Sequence, residues 1–234
     1  MRIPLLFLLL STGCAASLAQ FPGPLASVGR PLDPLQAVIE GETSPTPEAR
    51  PPKKSKKSTI DQRKVLAAAD YYLDHAPEDF PDDCSGYVCA VYGRAGIPLR
   101  GGTRQLWEKA GDAGAIHRRK IPNIGDLVFF DNTHDRNENK KLDDELTHVA
   151  IVTAVDADGT IHMKHGGTSR GRTTLVMNLR EPTVRKDGDR TINDYLRARK
   201  RRDKAGTKYL ASELWRAFAT VRKEDLNAWL EQNS

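Results

Sequence analysis

Hydrophobic residues recur with helical spacing in the stretch from residue 59 to residue 111. A capping sequence begins at Thr59 and predicts the first helix. The apolar stripe of that helix consists of Val65, Leu66, Ala69, Tyr72 and Leu73. The same spacing predicts a second helix from Cys84 to about Arg94 and a third that is capped by Thr103. Three consecutive helices are therefore expected before any strand.

Strand patterns replace the helical spacing in the second half of the chain. Short runs rich in β-branched and aromatic residues begin at Ile124 and at His148. The turn sequence Asp156–Gly159 joins the second run to a third, Thr160–His165, and a fourth run follows at Thr173–Met177. Helices followed by a short meander of strands predict an α+β fold with a small antiparallel sheet.

The C-terminal part is more basic, and two further helices are predicted there. The first covers Thr191–Arg201. The second covers Tyr209–Val221, although its last residues, Phe218–Val221, could equally form a strand. The folded domain is thus predicted to extend over residues 59–222, including a basic C-terminal extension, with a short helix at residues 223–234.

The N-terminal residues 1–19 have the form of an export signal. Arg2 precedes an apolar run that is too short to span a bilayer. Two processing routes stay open: lipidation of Cys14, which directly follows Gly13, or ordinary cleavage after the small residues Ser17–Ala19. Either route predicts an exported protein. The expected location is the periplasm, the outer membrane as a lipoprotein anchored through Cys14, or the outside of the cell after secretion.

Residues 20–58 contain eight of the fourteen prolines and sustain no helical or strand period. Such a composition cannot bury enough apolar surface to fold, because the entropic cost of ordering it is not offset. The stretch therefore predicts a disordered, semi-extended tether that gives the folded domain reach from a membrane or wall.

Composition limits the class of protein and its partners. The chain has 234 residues and is 38% hydrophobic, which suits one soluble globular domain with appendages. The net charge of +5 comes from clusters at Lys53–Lys57 and Arg197–Lys204. A solvated linker and a solvated helix face explain these clusters, and attraction to an anionic surface is the alternative. No aromatic residues interleave with the clusters, so we expect no nucleic acid partner, and we expect a monomer.

Cys84 is the first candidate for chemistry. A thiol at a helix N-terminus lies near the positive end of the helix dipole, which favours the nucleophilic thiolate. We expect Cys84 and Cys89 to be free thiols, with Cys89 a small buried apolar residue. Amide hydrolysis through a thiol also needs a base and a group that orients the base. His148 opens one predicted strand and His165 closes its hairpin partner, so the two imidazoles can be neighbours.

Four segments follow one another in an order that carries a family resemblance. They are Asp83–Val88, Gly125–Phe130, Thr147–Val152 and Lys164–Ser169. Together they resemble the NlpC-type cell-wall cysteine peptidases, relatives of the CHAP amidases within the papain-like fold, over roughly residues 60–180. The resemblance implies N-terminal helices that pack the nucleophile on the sheet. It also implies catalytic roles for Cys84, His148 and His165, with an oxyanion hole that uses the backbone N–H of Cys84.

The resemblance further implies an activity and its partners. It implies an exported cysteine peptidase that hydrolyses an amide in peptidoglycan stem peptides, between D-isoglutamate and the diamino acid, and that requires no cofactor. An N-acetylmuramoyl-L-alanine amidase and a wall-associated binding or scaffold lipoprotein with an inactive site stay open as alternatives. Tyr72 corresponds to a family tyrosine that lines the site, and Ser85 is a second substrate-binding or oxyanion candidate. His75, His117, His134 and His162 lack such context and are expected to be surface groups.

A polar insertion just before His148 presents oxygen atoms at alternate positions, in the manner of an EF-hand loop. The residues concerned are Asp135, Asn137, Asn139, Lys141 through its carbonyl, and Asp143. Lys140 replaces the usual turn glycine, and Leu146 replaces the bidentate glutamate, for which Asp144 is a candidate substitute. Two interpretations stay open: a structural calcium that stiffens the connection to His148, or a hydrophilic hairpin without an ion.

Overall fold

The computed structural model describes residues 60–201 and 203–230. The helices are α1 (Gln62–Asp74), α2 (Cys84–Arg94), α3 (Thr103–Asp112), α4 (Ala211–Leu214) and α5 (Leu226–Leu230). The strands are β1 (Ile116–His117), β2 (Leu127–Phe130), β3 (His148–Val155), β4 (Thr160–Thr168), β5 (Gly171–Asn178), β6 (Lys186–Asp187), β7 (Arg190–Thr191) and β8 (Trp215–Ala219). The predicted export signal, the lipidation site Cys14, the tether and the last four residues lie outside these ranges. Within them, no helix is long and apolar enough to cross a membrane.

Six strands form one antiparallel sheet in the order β1-β8-β2-β3-β4-β5, and β6 pairs with β7 separately. This sheet, preceded by three helices, confirms the predicted α+β class. Because successive side chains of a strand point to opposite faces of the sheet, the side chains of β2 belong to two different cores. Leu127 and Phe129 pack with the three N-terminal helices, whereas Val128 and Phe130 join a cluster on the opposite face of the sheet.

Helix α2 lies between α1 and the sheet and is buried from Ser85 to Tyr92. The Tyr87 hydroxyl donates to the Ala69 carbonyl at 2.7 Å and so joins α2 to α1. An ion pair between Lys164 on β4 and Asp70 on α1 joins the sheet to α1. The nucleophile helix is therefore held by partners on two sides.

The β3–β4 hairpin determines where the two candidate histidines stand. Its register pairs Ile151 with Lys164. Continued towards the start of β3, that register places His165 opposite Ala150 and makes His148 its diagonal neighbour on the same face. The hairpin turn predicted at Asp156–Gly159 is present, with the Gly159 N–H donating to the Asp156 carbonyl at 2.9 Å.

The C-terminal part differs from the prediction. Thr191–Arg201 is not helical, because its polar side chains bind another strand: Asn193 Oδ1 accepts the N–H of Asn178, and Asp194 Oδ2 accepts the N–H of Val176. The predicted helix Tyr209–Val221 reduces to the single turn α4 followed by β8. The open alternative of a strand is thus the one observed over Phe218 and Ala219, because β8 fills the gap between β1 and β2.

The chain end packs onto the helical layer. After a 3₁₀ turn at Lys223–Asp225, the short helix α5 contacts α3. Trp229 on α5 is fully buried in the core that α1, α2 and α3 share. Residues beyond the predicted boundary at 222 therefore contribute to the domain core.

Candidate active site

Asp83 fixes the residue at which α2 begins. Its Oδ1 accepts the backbone N–H of Gly86 and the hydroxyl of Ser85, each at 2.7 Å, so Asp83 is the N-cap. Cys84 consequently occupies the first helical position. In the described part of the chain its own backbone N–H has no hydrogen-bond partner, as is usual for the first turn of a helix.

Two glycines bring the end of β4 against the start of α2. A Cβ on Gly166 would lie 2.9 Å from Tyr87 Cβ, and one on Gly167 would lie 2.5 Å from the backbone nitrogen of Cys84. Gly167 also has a φ of +68°, in the left-handed region that favours glycine. The glycines that follow His165 therefore allow the close approach of the histidine strand to the nucleophile.

The two histidines are in direct contact. His148 Nε2 lies 2.7 Å from His165 Nδ1, and the two rings are perpendicular. Both side chains are buried, with exposed fractions of 5% and 3%. A contact of this length needs one donor and one acceptor, so only one of the two facing nitrogens carries a proton.

Cys84, His148 and His165 line one cavity of about 880 Å³. The Cys84 Sγ atom lies 3.6 Å from the hydroxyl oxygen of Thr103, which opens α3 on another wall of the cavity. Cys84 is partly exposed, whereas the second free thiol, Cys89, is buried. The structure thus brings the three predicted catalytic residues together in a space open to a ligand.

Burial raises the pKa of the Cys84 thiol, and hydrogen bonds from the Thr103 hydroxyl and the Val149 backbone offset this only in part. Burial likewise raises the pKa of Cys89 to about 11. The helix dipole alone predicts a depressed pKa for Cys84. The structure gives the opposite direction, because burial removes the thiolate from water and so disfavours it. The resting thiol is therefore protonated and needs a base.

Burial lowers the pKa of His148 well below 6.5, and the neighbouring His165 lowers it further. Burial, followed by the charge of Arg170, lowers the pKa of His165 to about 4. Both imidazoles are consequently neutral at pH 7. A neutral imidazole and a protonated thiol that line the same cavity are the pair of groups that general-base catalysis requires.

The lowered pKa values make stability depend on pH. Between about pH 6.5 and pH 4 the unfolded chain binds protons that the folded chain does not, so the free energy of unfolding falls as pH falls. His165 alone contributes a loss of roughly 3 kcal/mol over this window. We expect His165→Asn to reduce this loss while its amide oxygen still accepts from His148.

Urea unfolding of the native chain and of His165→Asn at pH 8, 6, 5 and 4 measures this dependence. At pH 8 the histidines of the site are neutral in the native chain and in the variant. The unfolding free energy at pH 8 is therefore the internal reference for each protein. An equal pH slope in the two proteins would contradict the assigned pKa of His165.

The two remaining site candidates, Ser85 and Tyr72, have different surroundings. Ser85 lines the cavity, but its hydroxyl is used to donate to Asp83 and so supports the helix start. Tyr72 does not line the cavity. Tyr72 lies on the face of α1 that packs against the helical core. Its ring is edge-to-face with that of Tyr71, with ring centroids 5.1 Å apart.

The predicted calcium ligands lie in the irregular connection between β2 and β3. They are Asp135, Asn137, Asn139, Lys141 and Asp143. The Asp143 carboxylate accepts the amide N–H groups of Asn139 at 3.0 and 3.1 Å, and Asp135 Oδ2 accepts the N–H of Lys140 at 2.9 Å. Asp135 Oδ1 and Asp144 Oδ2 are buried oxygens without a partner.

These observations do not test the calcium site. Two oxygens are unpartnered, and several other oxygens of the loop already accept hydrogen bonds from within it. Over residues 60–201 and 203–230, no three His, Cys, Asp or Glu side chains form a group that could hold a metal ion. The calcium site stays a prediction, which calorimetric titration of the chain with Ca²⁺ would test.

Several cavity residues were not expected from the sequence. Thr103 was predicted only as a helix cap, and His134, expected on the surface, lines the cavity. Five arginines also line it: Arg104, Arg136, Arg170, Arg197 and Arg199. They come from segments far apart in the chain, so spacing alone could not place them together. The only local signal is Arg170, which directly follows the Lys164–Ser169 segment.

Comparison with known proteins agrees with this geometry. Residues 75–167 match the family model of the CHAP domain, and this range contains Cys84, His148 and His165. The chain therefore contains a CHAP domain, a papain-like domain found in cell-wall hydrolases, and the predicted papain-like fold is confirmed. A hydrolase that acts on peptidoglycan follows as the general class. No curated protein and no solved structure gives a significant match.

Proposed function

We propose that this CHAP domain is a cysteine-type hydrolase that cleaves an amide bond in peptidoglycan stem peptides through Cys84, His148 and His165. One observation carries the proposal: His148 Nε2 contacts His165 Nδ1 at 2.7 Å in the cavity that also contains the Cys84 thiol at a helix start. This set supplies a nucleophile, a base and a group that orients the base.

The orienting residue selects the tautomer of the base. When His165 accepts at Nδ1, the proton of His148 is on Nε2, and Nδ1 of His148 is unprotonated. In the described residues that Nδ1 atom has no hydrogen bond, so its lone pair is free for the Cys84 thiol proton. His165 thus acts through His148, whose ring it orients.

The reaction takes two steps. In the first step, His148 Nδ1 takes the Cys84 proton as the sulfur attacks the amide carbonyl. His148 then gives this proton to the departing amine, and the acyl group remains on Cys84 as a thioester. Water, deprotonated by His148, hydrolyses the thioester and restores the thiol. The free N–H of Cys84 donates to the oxyanion in both steps, and Gly167 leaves space beside that N–H because it has no Cβ.

The bond that we propose lies between D-isoglutamate and the diamino acid of the stem peptide. The resemblance of Asp83–Val88 and Lys164–Ser169 to NlpC-type peptidases supports this choice. The CHAP match supports an amidase equally, so cleavage of the N-acetylmuramoyl-L-alanine bond is the second candidate.

Mass spectrometry of muropeptides distinguishes these activities. Purified peptidoglycan is incubated with the native chain and, in parallel, with Cys84→Ala. An endopeptidase releases shortened stem peptides, whereas an amidase releases intact stems from the glycan. Absence of any Cys84-dependent product would refute the enzymatic proposal and favour a binding or scaffold role.

We also propose that the protein is exported and acts in the cell envelope. The apolar run that follows Arg2 supports export, and the cysteine that follows Gly13 supports anchoring through a lipidated Cys14. Cell fractionation of the native chain and of Cys14→Ser tests the anchor. An unchanged distribution of the variant would indicate ordinary signal cleavage.

A further inference from the structure

The cavity that contains Cys84 is strongly cationic. Five arginines line it, and they come from four separate parts of the fold. They are Arg104 at the start of α3, Arg136 between β2 and β3, Arg170 in the β4–β5 turn, and Arg197 and Arg199 in the C-terminal segment. The only acidic residue of the lining is Asp83, and its Oδ1 is already bonded to Ser85 and Gly86.

None of these arginines forms an ion pair with a described residue. Arg136 and Arg197 donate only to backbone carbonyls, of Leu146 and Asn132. Elsewhere in the described chain, Arg172 pairs with Asp82 and Arg216 with Asp131, whereas other arginines, Arg63 among them, also form no ion pair. What distinguishes the cavity is that five arginines without an acidic partner line one space that a ligand can enter.

Arg197 makes the strongest case for an anionic ligand. Its exposed fraction is only 8%, so its charge is largely removed from water. A buried charge without an opposite charge is costly unless a partner compensates it. The side chain lines the cavity of the thiol as well as a neighbouring cavity, and an anion bound in the first would supply that partner.

The arginines stand on more than one side of the reacting groups. Arg104 directly follows Thr103, whose hydroxyl lies 3.6 Å from Cys84 Sγ. Arg170 is close enough to His165 to lower the pKa of its imidazole. Positive charge thus flanks both the nucleophile and the histidine pair.

We infer that the cavity selects peptides that carry free carboxylates near the scissile amide, and that its arginines bind those carboxylates. The inference rests on the proposed function and specifies its substrate: an anionic stem peptide. Guanidinium groups suit this task because their planar N–H pairs match a carboxylate with two parallel hydrogen bonds.

The inference also gives the basic C-terminal segment a role. Residues 195–199 form one wall of the cavity, and they lie beyond the range that matches the CHAP domain. We name this wall the basic arm. It is a substrate-recognition element added to the catalytic domain, in place of the solvated helix face that the sequence suggested.

Binding to Cys84→Ala tests the inference without turnover. The ligands are a synthetic L-alanyl-D-isoglutamyl-diamino-acid peptide with free carboxylates and the same peptide with those carboxylates amidated, measured by isothermal titration calorimetry. We expect amidation to weaken binding roughly 10- to 100-fold, the value of one or two charge-assisted hydrogen bonds. Equal affinity for both peptides, or no binding of either, would overturn the inference.

Charge variants locate the binding groups. Arg170→Gln and Arg199→Gln alter exposed side chains and should fold normally, and each should weaken binding of the free-carboxylate peptide about 10-fold or more while affecting the amidated peptide little. Arg63→Gln removes the same charge from the exposed face of α1, away from the cavity, and should change neither affinity. An equal effect of all three variants would indicate general electrostatics and contradict specific recognition.

Two further measurements distinguish failure of the carboxylate assignment from failure of the proposed function. Glycerol 1-phosphate, a probe for phosphate-bearing wall polymers, should compete poorly, and tighter binding of it than of the free-carboxylate peptide would overturn the carboxylate assignment. Hydrolysis of both peptides by the native chain is measured alongside. Equal kcat/KM for the two would refute the inference and leave the proposed function intact, whereas no Cys84-dependent hydrolysis of peptide or peptidoglycan would refute the function itself.

Discussion

Replacement of Cys84 by alanine is expected to lower the turnover of peptidoglycan by at least about 10³-fold, because no other group of the cavity can form the thioester. The fold should survive the change. Cys84 is partly exposed, its sulfur contacts the Thr103 hydroxyl at 3.6 Å and the Val149 backbone, and the Asp83 cap on α2 is untouched. Product release measured by mass spectrometry, together with thermal unfolding, checks both halves of the prediction.

Cys89→Ala is the matched control for that experiment. Cys89 is on the same helix, buried, and bonded only to the Gly101 carbonyl at 3.6 Å, outside the cavity. Its removal should cost some stability through lost packing and leave turnover within a few-fold of the native rate. Comparable turnover by Cys84→Ala and Cys89→Ala would exclude Cys84 as the nucleophile.

Gly86→Ala is expected to cause the largest loss of stability among substitutions in the nucleophile helix. A Cβ at this position would lie 1.8 Å from the carbonyl oxygen of Pro81, and that atom belongs to backbone that cannot turn aside. The loop before Cys84 would have to separate from α2, and the N-cap bond from Gly86 to Asp83 would be lost with it. We expect a loss of several kcal/mol in unfolding free energy, since overpacking and cap loss act together.

Gly93→Ala provides the comparison within the same helix. A Cβ there meets only the ring of Phe80, at an ordinary 3.8 Å. Alanine should be neutral or should stabilise α2 by roughly 0.5–1 kcal/mol, because it has the higher helix propensity. Urea unfolding of both variants tests the pair, and a similar stability of Gly86→Ala and Gly93→Ala would contradict the packing described for the Pro81 loop.

Local patterns were sufficient to predict the centre of the site. The β-branched run His148–Val155 and the turn at Asp156–Gly159 predict a hairpin, and the register of a hairpin determines which residues face each other. The contact between His148 and His165 follows from that register. The helix that begins at Cys84 could likewise be predicted from neighbouring residues, since the sequence contains both its cap and its end.

Features that depend on distant parts of the chain could not be predicted in this way. The residues Phe218–Val221 fit helical and strand spacing equally, and only the gap between β1 and β2 makes Phe218 and Ala219 part of a strand. The pKa of Cys84 depends on how deeply the helix start is buried, which the helix dipole alone does not indicate. The convergence of Arg104 and Arg199 on one cavity likewise requires the tertiary fold.

The most direct test of the central claim is interception of the thioester at Cys84 by hydroxylamine. Hydroxylamine attacks thioesters faster than water does, so it should convert part of the acyl product into a hydroxamate even if the intermediate does not accumulate. We predict a hydroxamate of the cleaved stem peptide with the native chain and none with Cys84→Ala. Cleavage that continues at an unchanged rate and yields only the carboxylate product would contradict a covalent mechanism at Cys84.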